Sequence, residues 1–179
     1  MMIKTSTDRT DQPNYTVIKK FKGFEIRQYP ELYVAKTKLG SSGYDGNSGE
    51  GFRRIAGFIF GANDQKMKIA MTSPVLMDMS DSVEMAFIMP DNITPENAPN
   101  PNNSKVVMST RPAQTIAVLT FGGWANSSKI AQKEKQLIKL LKENNISYEG
   151  EVTYMGYNPP YQLVDRRNEI AIEVNYEDQ

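Results

Sequence analysis

The sequence predicts an α+β fold built from a duplicated βαββ unit, its halves sharing one curved antiparallel sheet with two helices against it. Three observations predict this. Short apolar segments with the two-residue alternation of strands recur along the chain, and each half holds one segment with helical spacing. The order of segments over residues 15–89 returns over 105–176. Matching residues in the two halves lie roughly 80 positions apart, as an internal repeat requires.

The elements follow in order. Residues 1–14 are polar and read as a flexible lead-in. Tyr15 to Lys20 and Phe24 to Tyr29 read as strands around a tight Lys22-Gly23 turn, and Leu32 to Leu39 as a third. Residues 40–49 hold four glycines and three serines, which predicts a mobile loop. Phe52, Ile55, Ala56 and Ile59 then fall at i, i+3, i+4 and i+7, one face of a helix that Gly61 ends. Phe58 and Phe60 widen its apolar surface.

Lys68 to Met79 reads as a strand interrupted at Pro74. Val83, Met85, Phe87 and Met89 alternate as in a half-buried strand. Residues 90–104, rich in proline and asparagine, form a linker. Val106 to Ser109 and Thr115 to Phe121 are strands, and Gly122-Gly123 turns the chain. Ile130, Leu137, Ile138 and Leu141 share the face of a second helix over 128–143, with Ser127 as its N-cap. Asn144-Asn145 closes it. Glu151 to Tyr157, a turn at Asn158-Pro159-Pro160, and a strand carrying Ile170, Ile172 and Val174 complete the chain.

The repeat is visible in detail. Tyr29-Pro30-Glu31 before Val34-Ala35 answers Arg111-Pro112-Ala113 before Ala117-Val118. Pro74 answers Pro160, and Glu84 answers Glu169. Residues 15–176 are therefore expected to form a single domain, and antiparallel halves that close together leave a cleft for a ligand.

Composition excludes whole classes of chemistry. Lysine and arginine total 21, as do aspartate and glutamate, so the net charge is zero. That argues against a general nucleic-acid binder, which needs excess positive charge. The chain has no cysteine and no histidine. Disulfides, thiolate nucleophiles, Ser-His-Asp triads and imidazole metal ligands are all absent. No apolar run reaches the roughly 18 residues of a membrane span. The N-terminus lacks the apolar centre of a signal peptide, and a cytoplasmic location is expected.

Phe52-Arg53-Arg54-Ile55-Ala56-Gly57-Phe58-Ile59-Phe60-Gly61-Ala62-Asn63 followed by Lys68-Ile69-Ala70-Met71-Thr72-Ser73-Pro74-Val75 resembles the central signature of the SOUL haem-binding family. Tyr157-Asn158-Pro159-Pro160 with Arg166-Arg167-Asn168-Glu169-Ile170 resembles its C-terminal signature, and Phe121-Gly122-Gly123-Trp124-Ala125 also fits. The resemblance implies a distorted eight-stranded antiparallel sheet or barrel, similar to gyrase-inhibitor-like ligand domains. It also implies binding of haem or another tetrapyrrole in an apolar groove beside the first helix. Some family members use an axial histidine. This chain cannot.

On that footing the expected site has an apolar wall of Phe52, Ile55, Ala56 and Ile59. Arg53, Arg166 and Arg167 are expected to grip the ligand's carboxylates, with Arg54, Lys66 and Lys68 as further cations. Among the ten methionines and nine tyrosines no axial iron ligand stands out. No metal ligand and no catalytic residue is assigned. Ser73 lacks a histidine to activate it and reads as a turn residue. The leading reading is a carrier of haem, a related tetrapyrrole or another flat apolar molecule. The alternatives are a small-molecule enzyme using the paired glutamates Glu84 and Glu169, and a ligand sensor that never meets haem.

Overall fold

The computed structural model describes residues 10–41, 43–159 and 162–177. Nine antiparallel strands and two helices follow one another as β1 (Thr16–Phe21), β2 (Phe24–Tyr29), β3 (Leu32–Lys38), α1 (Gly43–Ile59), β4 (Val75–Asp78), β5 (Glu84–Ile88), β6 (Val107–Arg111), β7 (Gln114–Gly122), α2 (Ser127–Glu143), β8 (Ser147–Gly156) and β9 (Arg167–Asn175). The βαββ order expected of each half is present as β3–α1–β4–β5 and β7–α2–β8–β9. A further strand, β2 or β6, precedes each.

The strands form one curled sheet in the order β1-β2-β7-β9-β8-β4-β5-β3-β6. Apart from the edge strand β1, this order is symmetric about the β8–β4 seam. Pairing agrees with it. Lys38 lies opposite Glu84 in one half and Thr120 opposite Glu169 in the other. Each half lends its first strand to its neighbour, β2 to β7 and β6 to β3.

Both helices pack on one face. Ile55, Phe58 and Ile59 of α1, and Ile130, Leu137 and Leu141 of α2, are buried with Phe24, Ile26, Ala35, Phe87, Leu119 and Ile170. Burying such side chains is worth roughly 1.5–3 kcal/mol each, which makes this layer the main source of stability. The opposite face carries a smaller cluster, including Tyr29, Val34, Leu76, Ile88, Val118, Met155 and Tyr157.

Local hydrogen bonds explain where the sequence reading and the structure differ. Residues 43–49 are the first turns of α1 rather than loop. The buried Asn47 amide donates to the carbonyls of Gly40 and Gly43, at 3.1 and 2.8 Å, and ties this glycine-rich stretch down. The cap of α2 is Asn126, whose Oδ1 accepts from the Lys129 amide at 2.8 Å. Ser127 serves α1 instead: its hydroxyl accepts from the Asp45 amide, while the Asp45 carboxylate accepts from the Ser127 amide. Residues 68–73 are not a strand: the Ile69 amide donates to the Ile59 carbonyl and the Ser73 amide to that of Asp11, which ties the segment to α1 and the N-terminal stretch instead of to a strand ladder. Residues 10–14 are not loose, since the Ser73 amide donates to the Asp11 carbonyl at 3.0 Å. Residues 1–9 of the expected lead-in lie outside the described residues.

Candidate functional site: a groove beside the first helix

The chain makes a groove where β3 runs into α1. It holds about 610 Å³ and is lined by Lys36, Lys38, Leu39, Gly40, Glu50, Arg54, Glu84, Ser104, Lys105 and Val107. That volume falls within the ~300–1,000 Å³ usual for small-molecule sites. Lys36 pairs with Glu84 at 3.1 Å and Arg54 with Glu50. Arg54 also donates to the Lys38 carbonyl at 3.1 Å, which fixes the end of β3. Lys38 and Lys105 are exposed and form no ion pair among the described residues, so the groove keeps two uncommitted positive charges. Its apolar surface comes mainly from Val107, which is 52% exposed, since Leu39 at the groove floor is buried in the core.

The expected wall on α1 is mostly shut. Ile55 and Ile59 are 0% and 1% exposed and Ala56 is buried, all on the side of α1 turned to the sheet. The periodicity that located the stripe is the signature of a core face. Phe52 is half-buried, with its ring 5.3 Å from that of Phe87. Arg53 is exposed with no ion pair among the described residues.

Arg166 and Arg167 are committed within the protein. Arg166 donates to the carbonyls of Pro159 and Gln162, at 3.0 and 2.7 Å, and lies 4.1 Å above the Trp124 ring. Arg167 donates to Glu169 at 2.8 Å and lies 4.0 Å above the Tyr157 ring. Neither guanidinium faces the groove.

The paired glutamates take different surroundings. Glu84 lines the groove. Glu169 is fully buried and accepts from Arg27 through two 3.0 Å bonds, from Arg167, from the Tyr157 hydroxyl at 2.7 Å and from Thr120 at 3.1 Å. Burial alone would push its carboxyl up. The hydrogen bonds and charge of Arg27, then the charge of Arg167, outweigh burial and hold it below the usual carboxylate range. Burial pushes the Tyr157 hydroxyl upward, and the Glu169 charge adds to this. Glu169 is thus a satisfied anion with no proton to exchange near neutral pH. The Ser73 hydroxyl lies 2.7 Å from that of Thr10, in keeping with a turn residue.

The model of the family described as SOUL heme-binding protein matches residues 10–173. The chain belongs to the SOUL family. Among relatives of this SOUL protein, Heme-binding protein 2 of Mus musculus is 29% identical over 156 residues, covering 82% of this chain and 76% of the relative. Heme-binding protein 1 of Xenopus laevis is 27% identical over 157 residues, covering 82% and 81%. The fold is that of the EcmrR C-terminal domain, with a TM-score of 0.66 at 13% identity over 90% of this chain and 98% of that one. No helix among the described residues of the SOUL chain is long and apolar enough to cross a membrane.

Lys38 and Lys105 do not stand out in the sequence because neither belongs to a periodic pattern or a signature. Their shared groove joins the end of β3 to the loop before β6, which only the sheet order brings together.

Proposed function

We propose that this SOUL protein is a binding protein for haem or a related tetrapyrrole, and not an enzyme. The groove between the end of β3 and the middle of α1 is the proposed site. Family membership supports the ligand class, and the observation that carries the site is a groove of suitable size with two lysines that form no ion pair among the described residues. Val107, over the buried Leu39, gives the macrocycle an apolar face, and Lys38 and Lys105 take its two carboxylates. Arg53 and Phe52, next along α1, extend the contact. Ile55, Ala56 and Ile59 support the groove from the core without touching ligand.

Iron plays little part in this reading. The chain has no histidine or cysteine, and no methionine or tyrosine is among the groove's lining residues. Affinity then rests on apolar contact and charge pairing. Binding without catalysis is supported by Glu169, the only fully buried carboxylate among the described residues, being held as an anion by two arginines. The halves 15–89 and 105–176 are proposed to be copies of one ancestral unit, in keeping with the symmetric strand order.

Titrating untagged protein with ferric haem tests the proposal. The expected result is a saturable Soret change of weak to moderate affinity without a bis-histidine spectrum. No saturable change with haem or with metal-free protoporphyrin would refute it.

A further inference from the structure

Large apolar side chains rarely stand open in water on neighbouring loops without a partner. Six are exposed among the described residues, and three lie on two loops that Arg166 joins: Trp124 at 51%, Leu163 at 72% and Val164 at 71%. Trp124 lies in the loop from β7 to α2, and Leu163 and Val164 in the loop from β8 to β9. Arg166 joins the loops, its guanidinium 4.1 Å from the Trp124 ring and its edge bonded to the Gln162 carbonyl. These are loop tips, not the walls of a cavity, and none of them lines the tetrapyrrole groove.

The charges around the tips are mainly positive. Lys129 and Lys133 both stand over the ring of Phe121, three residues before Trp124, at 5.5 and 5.9 Å. Lys129 is fixed there by a bond to the Gly122 carbonyl. Arg166 adds a third cation. Asp165 is a carboxylate within the loops, and Asp45 of α1 reaches Ser127 nearby. Indole beside aliphatic tips, with cations behind, is the chemistry of a membrane interface: the rings and methyls enter the headgroup layer and the cations meet anionic lipid.

We propose that the Trp124–Leu163–Val164 tips are a docking surface for an anionic lipid bilayer. This rests on a different observation from the tetrapyrrole groove and stands or falls apart from it.

Trp124 is the chain's only tryptophan, so its emission reports the patch directly. The experiment adds phosphatidylcholine vesicles, with or without about a third phosphatidylserine, to the full chain and follows emission and co-sedimentation. On the phosphatidylserine vesicles the emission shifts to the blue and protein sediments, and added salt reverses both. A Leu163→Asp, Val164→Asp double variant with an unchanged circular dichroism spectrum loses both responses. Absence of shift and sedimentation with either vesicle overturns the proposal, as does a folded double variant that sediments like the parent. Equal binding to neutral vesicles overturns the role given to the cations. A blue shift that grows with protein concentration without lipid, together with dimers in sedimentation velocity, assigns the patch to a second copy of the chain instead.

Discussion

Arg27 and Glu169, 142 residues apart in sequence, meet in a two-bond ion pair across β7, with both contacts at 3.0 Å and both side chains buried. Arg167, Tyr157 and Thr120 complete the shell around the carboxylate. Removing one partner of a buried pair leaves an uncompensated charge, at a cost of about 3–5 kcal/mol. Glu169→Ala should therefore unfold in urea with a stability loss of that order. A loss under 1 kcal/mol would show that the shell does not hold the sheet together.

The same carboxylate sets an acid limit. Its folded pKa lies below the ordinary value of about 4.3. Its contribution is present in full above that value and is lost as pH falls through the lower folded one. Urea midpoints measured from pH 7 down to pH 3 should fall at the acid end in the parent. Glu169→Gln should start lower and fall less. Parallel curves for the two proteins would remove Glu169 as the source.

Two glycines of α1 should respond in opposite senses to alanine. A Cβ at Gly57 would meet nothing within 4 Å, so Gly57→Ala should gain about 0.5–1 kcal/mol from the helix backbone alone. A Cβ at Gly51 would stand 2.7 Å from Leu39 and 3.1 Å from the Met85 sulfur. Gly51→Ala should lose roughly 1–3 kcal/mol through overpacking. Thermal melts of both variants check this, and equal shifts of one sign would contradict the packing described for α1.

How much was legible in the sequence follows from the range of each interaction. The face of α2 that carries Ile130, Leu137 and Leu141 was readable because helical periodicity is local, and all three are buried. The first turns of α1 were not, because Gly43, Gly46 and Gly49 signal loop, and the helix there depends on Asn47, Asp45 and the distant Ser127. For Ile55 and Ile59 the pattern gave the right helix and a face that is buried in the core, since periodicity marks burial without saying what buries it. Arg166 and Arg167 were visible as a motif, but their partners at Trp124, Tyr157 and Glu169 were not. Lys38 and Lys105 become neighbours only when β6 pairs with β3.

The central claim is that the α1 groove binds a tetrapyrrole through its carboxylates. The most direct test compares metal-free protoporphyrin with its dimethyl ester, by fluorescence titration, on the parent and on a Lys38→Ala, Lys105→Ala variant. Exposed ion pairs are worth about 0.2–1 kcal/mol each. The free acid should bind the parent about 2- to 30-fold more tightly than the ester, and the double variant should lose that preference while keeping its fold. A double variant that still prefers the free acid to the same degree would contradict the account.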